Sequence, residues 1–476
     1  MKVSVCNLGP IKEKNKMELK PLTVFIGPNN AGKTWLAYSL AGILGTFGLD
    51  EYIKAYVDHT VSEKYSVLDT AINLIISNGS ATIDIERFAD EFADEYFNNI
   101  AKYSSTWMNR FLGTQRINFN DLKITLNIGN NKPIFKENLM KYSFTTQVAK
   151  SILTIQKNAG KSKIYAFTSS ESDETKDTAK ILDEQIPEQE IRRILIRFVF
   201  QAMHSSLYPN IRIFPTERAK IADIQYTGSV AEIQNTSLFK LTDETWPERS
   251  FRQLYREIYG IQSGARNARN KESSSSLVKQ YIELADILER DILGGNLKFS
   301  TPKPDPLREI LYQTTSDSDI EISIASSMVK ELSSLALYLR YLAKPGELII
   351  IDEPEMNLHP AAQIKMVEFL AMMVNSGLNV LITTHSPYFL DHLYNVMLAD
   401  KHKDKKKISE KFYLKKEVAF LSQDKVAAYL ISDGKIANIL EEDGDINWSN
   451  FSKETDRIMQ LQADLISEIS QDTSKE

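Results

Sequence analysis

The sequence predicts an α/β fold in which the two ends of the chain build one strand-rich head, with a long, mostly helical insertion between them. Three observations carry this. A short apolar strand, Leu22 to Ile26, runs into a glycine turn and then a helix. A second apolar run, Leu348 to Asp352, ends in two adjacent acids, and a third, Val380 to Thr384, ends at His385. Apolar runs of this length fit strands buried on both faces, as in parallel sheets covered by helices.

The elements follow in order. In residues 1–49, Lys2 to Cys6 and Leu22 to Ile26 read as strands, the second closed by Gly27-Pro28. From Lys33 the pattern turns helical, with Leu36, Leu40 and Leu44 on one face. Residues 50–295 are weakly patterned and read as mainly helical; Ile191, Leu195, Phe198 and Met203 recur near the helical period. This stretch holds two polar segments, Thr168 to Lys180 and Ser263 to Ser276, the second reading as a mobile loop. No internal repeat appears, and no heptad run is long enough for an extended coiled-coil arm. In residues 296–476 the pattern is regular again. Short strands are expected at Leu297 to Ser300, Arg308 to Tyr312 and Ile320 to Ile324, then a helix from Ser327 to Leu342. A helix over Ala361 to Val374 separates the two buried runs; a hairpin turns at Asp433-Gly434, and Ile458, Leu461, Leu465 and Ile469 form the stripe of a last helix.

Composition narrows the class. The chain has 476 residues, 42% hydrophobic and 25% charged, enough for roughly three domains at about 150 residues each. A collagen-like, mucin-like or wholly disordered chain is excluded. Cys6 is the single cysteine, so no internal disulfide forms. The amino-terminal residues lack the apolar core of a signal peptide, and no apolar run approaches the ~18 residues a membrane helix needs, so a cytoplasmic protein is expected. With a net charge of −6, any nucleic-acid site is a local patch. One candidate is Lys401 to Lys416, with eight lysines against Asp404 and Glu410; it reads as a solvated loop, the favoured reading, or as a phosphate-contacting segment. Arg266, Arg269 and Lys271 form a second, smaller basic group.

The strongest motif is Gly27-Pro28-Asn29-Asn30-Ala31-Gly32-Lys33-Thr34, a GxxxxGK[ST] P-loop set between strand and helix. Its glycines let successive N–H groups turn inward onto phosphate oxygens, and the new helix offers its positive end to the same anion. Lys33 adds a point charge at the β- and γ-phosphates, the Thr34 hydroxyl suits Mg²⁺, and Trp35 continues the binding segment. Asp352 and Glu353 leave the end of a buried strand, where open α/β sheets place their ligands. Asp352 is the expected Mg²⁺ partner and Glu353 the expected base for an attacking water. His385, ending the next strand, is placed to touch the γ-phosphate.

The loop GPNNAGKT, the strand IIIDEPEMNLHP and the strand end ITTHS together resemble an ABC-type ATPase of the SMC, RecF and OLD group. The resemblance covers residues 1–49 and most of 296–476. It implies an ABC-type head that binds ATP and Mg²⁺, hydrolyses ATP slowly, and works as a homodimer of heads sandwiching two nucleotides. Asn357 to His359 would cross that dimer interface. A signature segment would lie at Ala325-Ser326-Ser327-Met328-Val329-Lys330, with Ser326, Ser327 and Lys330 reaching the partner's nucleotide; Met328 stands where the group has glycine. The alternative is a plain serine helix cap. Gln201 and Gln225 are positional candidates for the group's glutamine. Pro215-Thr216-Glu217-Arg218 resembles an OLD-like segment, with Arg218 either structural, the favoured reading, or phosphate-contacting. No Toprim nuclease domain is recognised after His385, and Glu441 to Asp445 reads as a solvated acidic turn rather than a metal cluster.

Stand-alone ATPases of this kind resemble the ATPase components of bacterial antiphage systems such as Septu, PARIS and certain retrons. That implies a sensor or scaffold controlling a separately encoded effector, a nuclease being the expected one, with residues 50–295 binding partners or mediating dimerisation. The alternative is a RecF-like repair ATPase that binds DNA directly.

Overall fold

The computed structural model describes residues 1–148, 153–168, 186–219, 245–260, 276–300 and 310–441. Gln225, the Arg266–Lys271 group, the segment 169–180, the acidic turn beyond Glu441 and the stripe ending at Ile469 lie outside the described residues.

Both ends of the chain meet in one sheet. Its six described strands run in the order Lys435–Asn438, Val426–Ser432, Leu22–Ile26, Asn379–Thr384, Leu348–Asp352, Ile211–Phe214. Neighbours are parallel except at the closing hairpin. That hairpin turns through Asp433 and Gly434, both at positive φ, as a two-residue turn matched to strand twist requires. The strand interiors are apolar on both faces because each face meets a separate core. Phe25, Ile350, Leu381 and Tyr429 point into one; Val24, Ile349, Ile351, Val380 and Ala428 point into the other. This alternation follows from the two-residue period of a strand.

The first core holds the helix Lys33–Leu44 and the aromatic interior of the middle segment, where Tyr52, Tyr65, Tyr96 and Phe200 pack ring on ring. The second holds the helices Ser327–Tyr341, Pro360–Asn375 and Pro387–Asp400. The first two start within a residue of the expected positions, and the third was not read from sequence: Ser326 caps the first, and proline opens the other two.

The middle segment is helix-rich, yet it is woven into the head. Lys123–Asn127 pairs with Lys2–Cys6, and Ile211–Phe214 extends the main sheet beside Leu348–Asp352. It also carries a four-stranded antiparallel sheet, in the order Ser80–Asp84, Lys163–Thr168, Leu153–Lys157, Phe144–Val148. Near residue 320 the structure corrects the expected strand: pairing covers Asp319–Glu321, and Ile322–Ile324 is a short 3-10 turn. Ile322 is buried while Ile324 is 71% exposed; the chain bends here to bring Ser326 onto the next helix.

Candidate functional site

Register alone assembles the site. Asp352 lies opposite Thr383, and Thr384 opposite Ile26. The glycine loop, the acidic pair and His385 therefore emerge from the same edge of three adjacent parallel strands, the edge where such sheets bind ligands.

The loop needs its glycines. Gly27 sits at φ 151, and a Cβ there would lie 2.0 Å from the Ile431 carbonyl oxygen. Gly32, at φ 102, starts the helix Lys33–Leu44 with no side-chain cap. The first amides of that helix thus have no side-chain acceptor, which makes its amino end a ready anion seat.

Lys33 is buried, and its ammonium is fully engaged. It donates to the carbonyls of Gly27 (2.9 Å) and Pro28 (2.8 Å) and to His385 Nδ1 (3.2 Å). Three donors meet three acceptors. His385 Nδ1 is then the acceptor nitrogen, so Nε2 carries the proton and donates to Glu353 Oε1 at 2.7 Å. A chain of contacts runs Lys33–His385–Glu353. Burial lowers the Lys33 pKa, and the charges of Glu353, Asp352 and Glu355 partly restore it.

Asp352 is an acceptor hub. Thr34 Oγ1 donates to its Oδ1 (2.9 Å), while Thr216 (2.6 Å) and Tyr38 (3.2 Å) donate to Oδ2. The Thr383 hydroxyl also donates to Oδ1. Burial and the Asp352 charge push the Tyr38 phenol well above its ordinary value, so it remains a donor. Glu353 follows with φ 51, a left-handed conformation uncommon for glutamate, held by its N–H to the Thr383 carbonyl at 3.0 Å. Glu355 accepts from the Thr384 hydroxyl (2.6 Å) and the His385 amide (2.7 Å); burial raises its pKa.

Arg218 is structural, as favoured from sequence. It is 1% exposed and donates to the carbonyls of Pro215 (3.1 Å), Asp352 (2.8 Å) and Glu353 (3.2 Å). It also pairs with Glu331 Oε2 at 3.1 Å. Burial works against both charges, and each partner counters it in the other. Glu331 accepts in turn from Asn357, a residue at φ 60, at 3.0 Å. Arg218 thus bolts the acidic strand end to the Ser327–Tyr341 helix and, through Glu331, to the Asn357–His359 loop.

Other expected residues lie elsewhere. Ser326 and Ser327 are exposed at a helix amino end, where Ser326 accepts from the Val329 amide at 3.4 Å. Lys330 is half-buried, and Met328 packs against the core, so its side chain has an inward home. Trp35 rests on Gly9 and Phe119. Gln201 lines a cavity at the far end of the Lys33–Leu44 helix, away from Lys33. Tyr38, Glu355 and Glu331 are given no role by the sequence, and Thr383 and Thr216 enter it only as members of the ITTHS and PTER segments. Tyr38 stands four residues after Thr34 on one helix face, and Thr216 lies in the noted PTER segment; those were the available signals.

Thr34 and Asp352 present hydroxyl and carboxylate oxygens, the hard donors Mg²⁺ prefers. No cluster of three or more His, Cys, Asp or Glu suited to a metal occurs among the described residues.

Residues 1–390 match the family described as AAA ATPase domain. No curated protein matches the chain. Solved structures that align with it include an Smc head bound to the C-winged helix domain of ScpA (13% identity, 92% of this chain and 97% of that one, TM-score 0.38). Others are an Smc head with an extended coiled coil bound to the C-terminal domain of ScpA, from Pyrococcus furiosus (12%, 96% and 98%, 0.33), and an SMC head domain from Thermotoga maritima (9%, 92% and 97%, 0.32).

Proposed function

The chain belongs to the AAA ATPase domain family, and from that premise we propose that it binds ATP at the Gly27–Thr34 loop and hydrolyses it beside Asp352 and Glu353. The observation that carries this is the 2.9 Å bond from Thr34 to Asp352, which joins the loop to the acidic strand end across 318 residues. The loop amides hold the phosphates, and Lys33 joins them by giving up its bonds to the Gly27 and Pro28 carbonyls and to His385 for phosphate oxygens. Thr34 and Asp352 would hold Mg²⁺, which supplies charge neutralisation when bound; Thr216, Tyr38 and Thr383 fix the Asp352 carboxylate. Glu353 takes the proton of the attacking water, and His385 orients it through Nε2–H. Positioning and electrostatics do most of the work in such phosphoryl transfer.

The protein works as an ABC-type homodimer, each exposed Ser326–Ser327 helix end, with Lys330, facing the partner's nucleotide. It acts in the cytoplasm as sensor and scaffold of an antiphage complex, with residues 50–295 engaging a separately encoded nuclease effector. No described helix is long and apolar enough to cross a membrane. A second reading, direct DNA binding, is favoured by one feature: Lys401, Lys403, Lys406, Lys407, Lys411, Lys415 and Lys416 are all exposed, with exposed Tyr413 among them. Salt-sensitive DNA affinity that grows with ATP would support it.

The direct test is Glu353→Gln. Phosphate release is expected to fall by about 10²-fold or more, while ATP is retained and dimer accumulates on size exclusion; unchanged turnover removes Glu353 as the base.

A further inference from the structure

The charge of this chain is unevenly spread. Residues 442–476, which lie outside the described residues, carry nine acids against Lys453, Arg457 and Lys475, a net charge of −6. That equals the charge of the whole chain, so residues 1–441 are neutral as a set. Within that set, residues 401–416 stand at +6, with eight lysines against Asp404 and Glu410. We propose that residues 442–476 dock on the surface formed by residues 401–416 of their own chain.

The lysine run is a held surface. The amides of Tyr413 and Leu414 donate to the fully buried carboxylate of Glu368, at 3.0 and 2.7 Å. The Asp404 side chain caps the short helix Lys405–Ser409 by accepting from the Lys407 amide at 2.9 Å. The backbone is thus pinned from within, and the side chains are left outside. Lys405 pairs with Asp400, and Lys415 with Glu410. Lys403, Lys406, Lys407, Lys411 and Lys416 are exposed and meet no carboxylate among the described residues. Ammonium groups held this close repel one another, and a segment of opposite charge relieves the repulsion. Exposed apolar side chains accompany them: Leu398 before the run, Tyr413 within it and Val418 after it. The acidic segment offers the matching kinds. Ile458, Leu461, Leu465 and Ile469 recur at helical spacing, interleaved with Glu454, Asp456, Asp464 and Glu468.

The segment also starts in the right place. The Glu441 carbonyl accepts from Gln423 Nε2 at 3.2 Å. Gln423 lies seven residues beyond Lys416, at most about 25 Å away on a fully extended chain. Asn375 draws the turn between them inward, donating to the carbonyls of Val418 (2.9 Å) and Phe420 (2.7 Å) and accepting from Lys425 (2.9 Å). The 35 residues that follow Glu441 cover about 52 Å even when wholly helical, which reaches across the lysine surface.

The inference is independent of the ATP reading. It bears on the DNA reading, because nucleic acid bound at these lysines would have to displace the acidic segment; a failure to dock leaves that reading standing. The test uses the full chain at low salt. A zero-length carbodiimide joins a carboxylate to an ammonium only when the two are in contact. Peptide mass spectrometry is expected to find acids of residues 442–476 linked to Lys403, Lys406, Lys407, Lys411 or Lys416. Mixing with ¹⁵N-labelled protein shows whether each link lies within one chain. As a second measurement, Lys406→Gln, Lys407→Gln and Lys411→Gln are combined, all on exposed side chains. An arginine-specific protease is expected to cut after Arg457 at least about fivefold faster in that variant than in the wild type. Absence of such links in the wild type, links found only between chains, or cleavage after Arg457 indifferent to the lysine changes overturns the proposal.

Discussion

Removing Arg218 tests whether one buried cation holds the acidic strand end in register with the Ser327–Tyr341 helix. The guanidinium satisfies the carbonyls of Pro215, Asp352 and Glu353 and neutralises a Glu331 side chain that is 4% exposed. Arg218→Met keeps the aliphatic volume and deletes the charge. It strands a buried carboxylate, a change worth about 3–5 kcal/mol when one partner of a buried pair is lost. Adding Glu331→Leu removes the stranded charge, so the double variant is expected to recover most of that loss, because an apolar replacement of a whole buried pair is often neutral. The three carbonyls still lack their donor in both variants, so ATP turnover stays low even where stability returns. The assay is urea unfolding of the wild type, both single variants and the double, with phosphate release measured on each. The reasoning fails if the single losses simply add in the double variant, or if turnover returns with stability.

Gly27→Ala places a Cβ 2.0 Å from the Ile431 carbonyl oxygen at φ 151. A strain of about 1–3 kcal/mol is expected, seen as a lower melting temperature and weaker ATP binding; wild-type affinity would show that the loop tolerates a side chain there. His204 is buried, and desolvation lowers its pKa to about 4 from 6.5. The unfolded chain binds this proton more readily, so the stability is fully present above pH 6.5 and is lost as pH falls toward 4. At pH 5 the loss is about 2 kcal/mol. It is read as the difference in urea unfolding between wild type and His204→Gln at pH 7.5 and pH 5, and an identical pH slope in the two proteins contradicts it.

Much of the site was legible because its chemistry is local. Glycines at fixed offsets, a lysine at the helix start and two acids closing an apolar run each carry their meaning within about ten residues, and the register of parallel strands then brings them together. The middle segment was less legible. Lys123–Asn127 alternates buried and exposed residues, but over five positions only. Ile211–Phe214 reads as strand-like from sequence, but its four residues carry no sign that they pair beside Leu348–Asp352. Ile322 to Ile324 shows the converse: an apolar stretch read as strand bends because the following helix must be capped.

The sequence by itself determined the loop, the strands that feed it, the acidic pair, His385 and the helices Lys33–Leu44, Ser327–Tyr341 and Pro360–Asn375, since these follow from short-range periodicity and backbone stereochemistry. The tertiary structure alone decided that Thr216, Tyr38 and Thr383 converge with Thr34 on one carboxylate, and that Arg218 is a bolt rather than a phosphate ligand. It also decided that Arg212, Arg249, Arg252 and Arg256 come to line one cavity at the far end of the loop's helix. The physical reason is shared: each of these depends on groups brought within a few ångströms by packing, often from more than a hundred residues apart, and no local pattern encodes which partner a buried donor will meet.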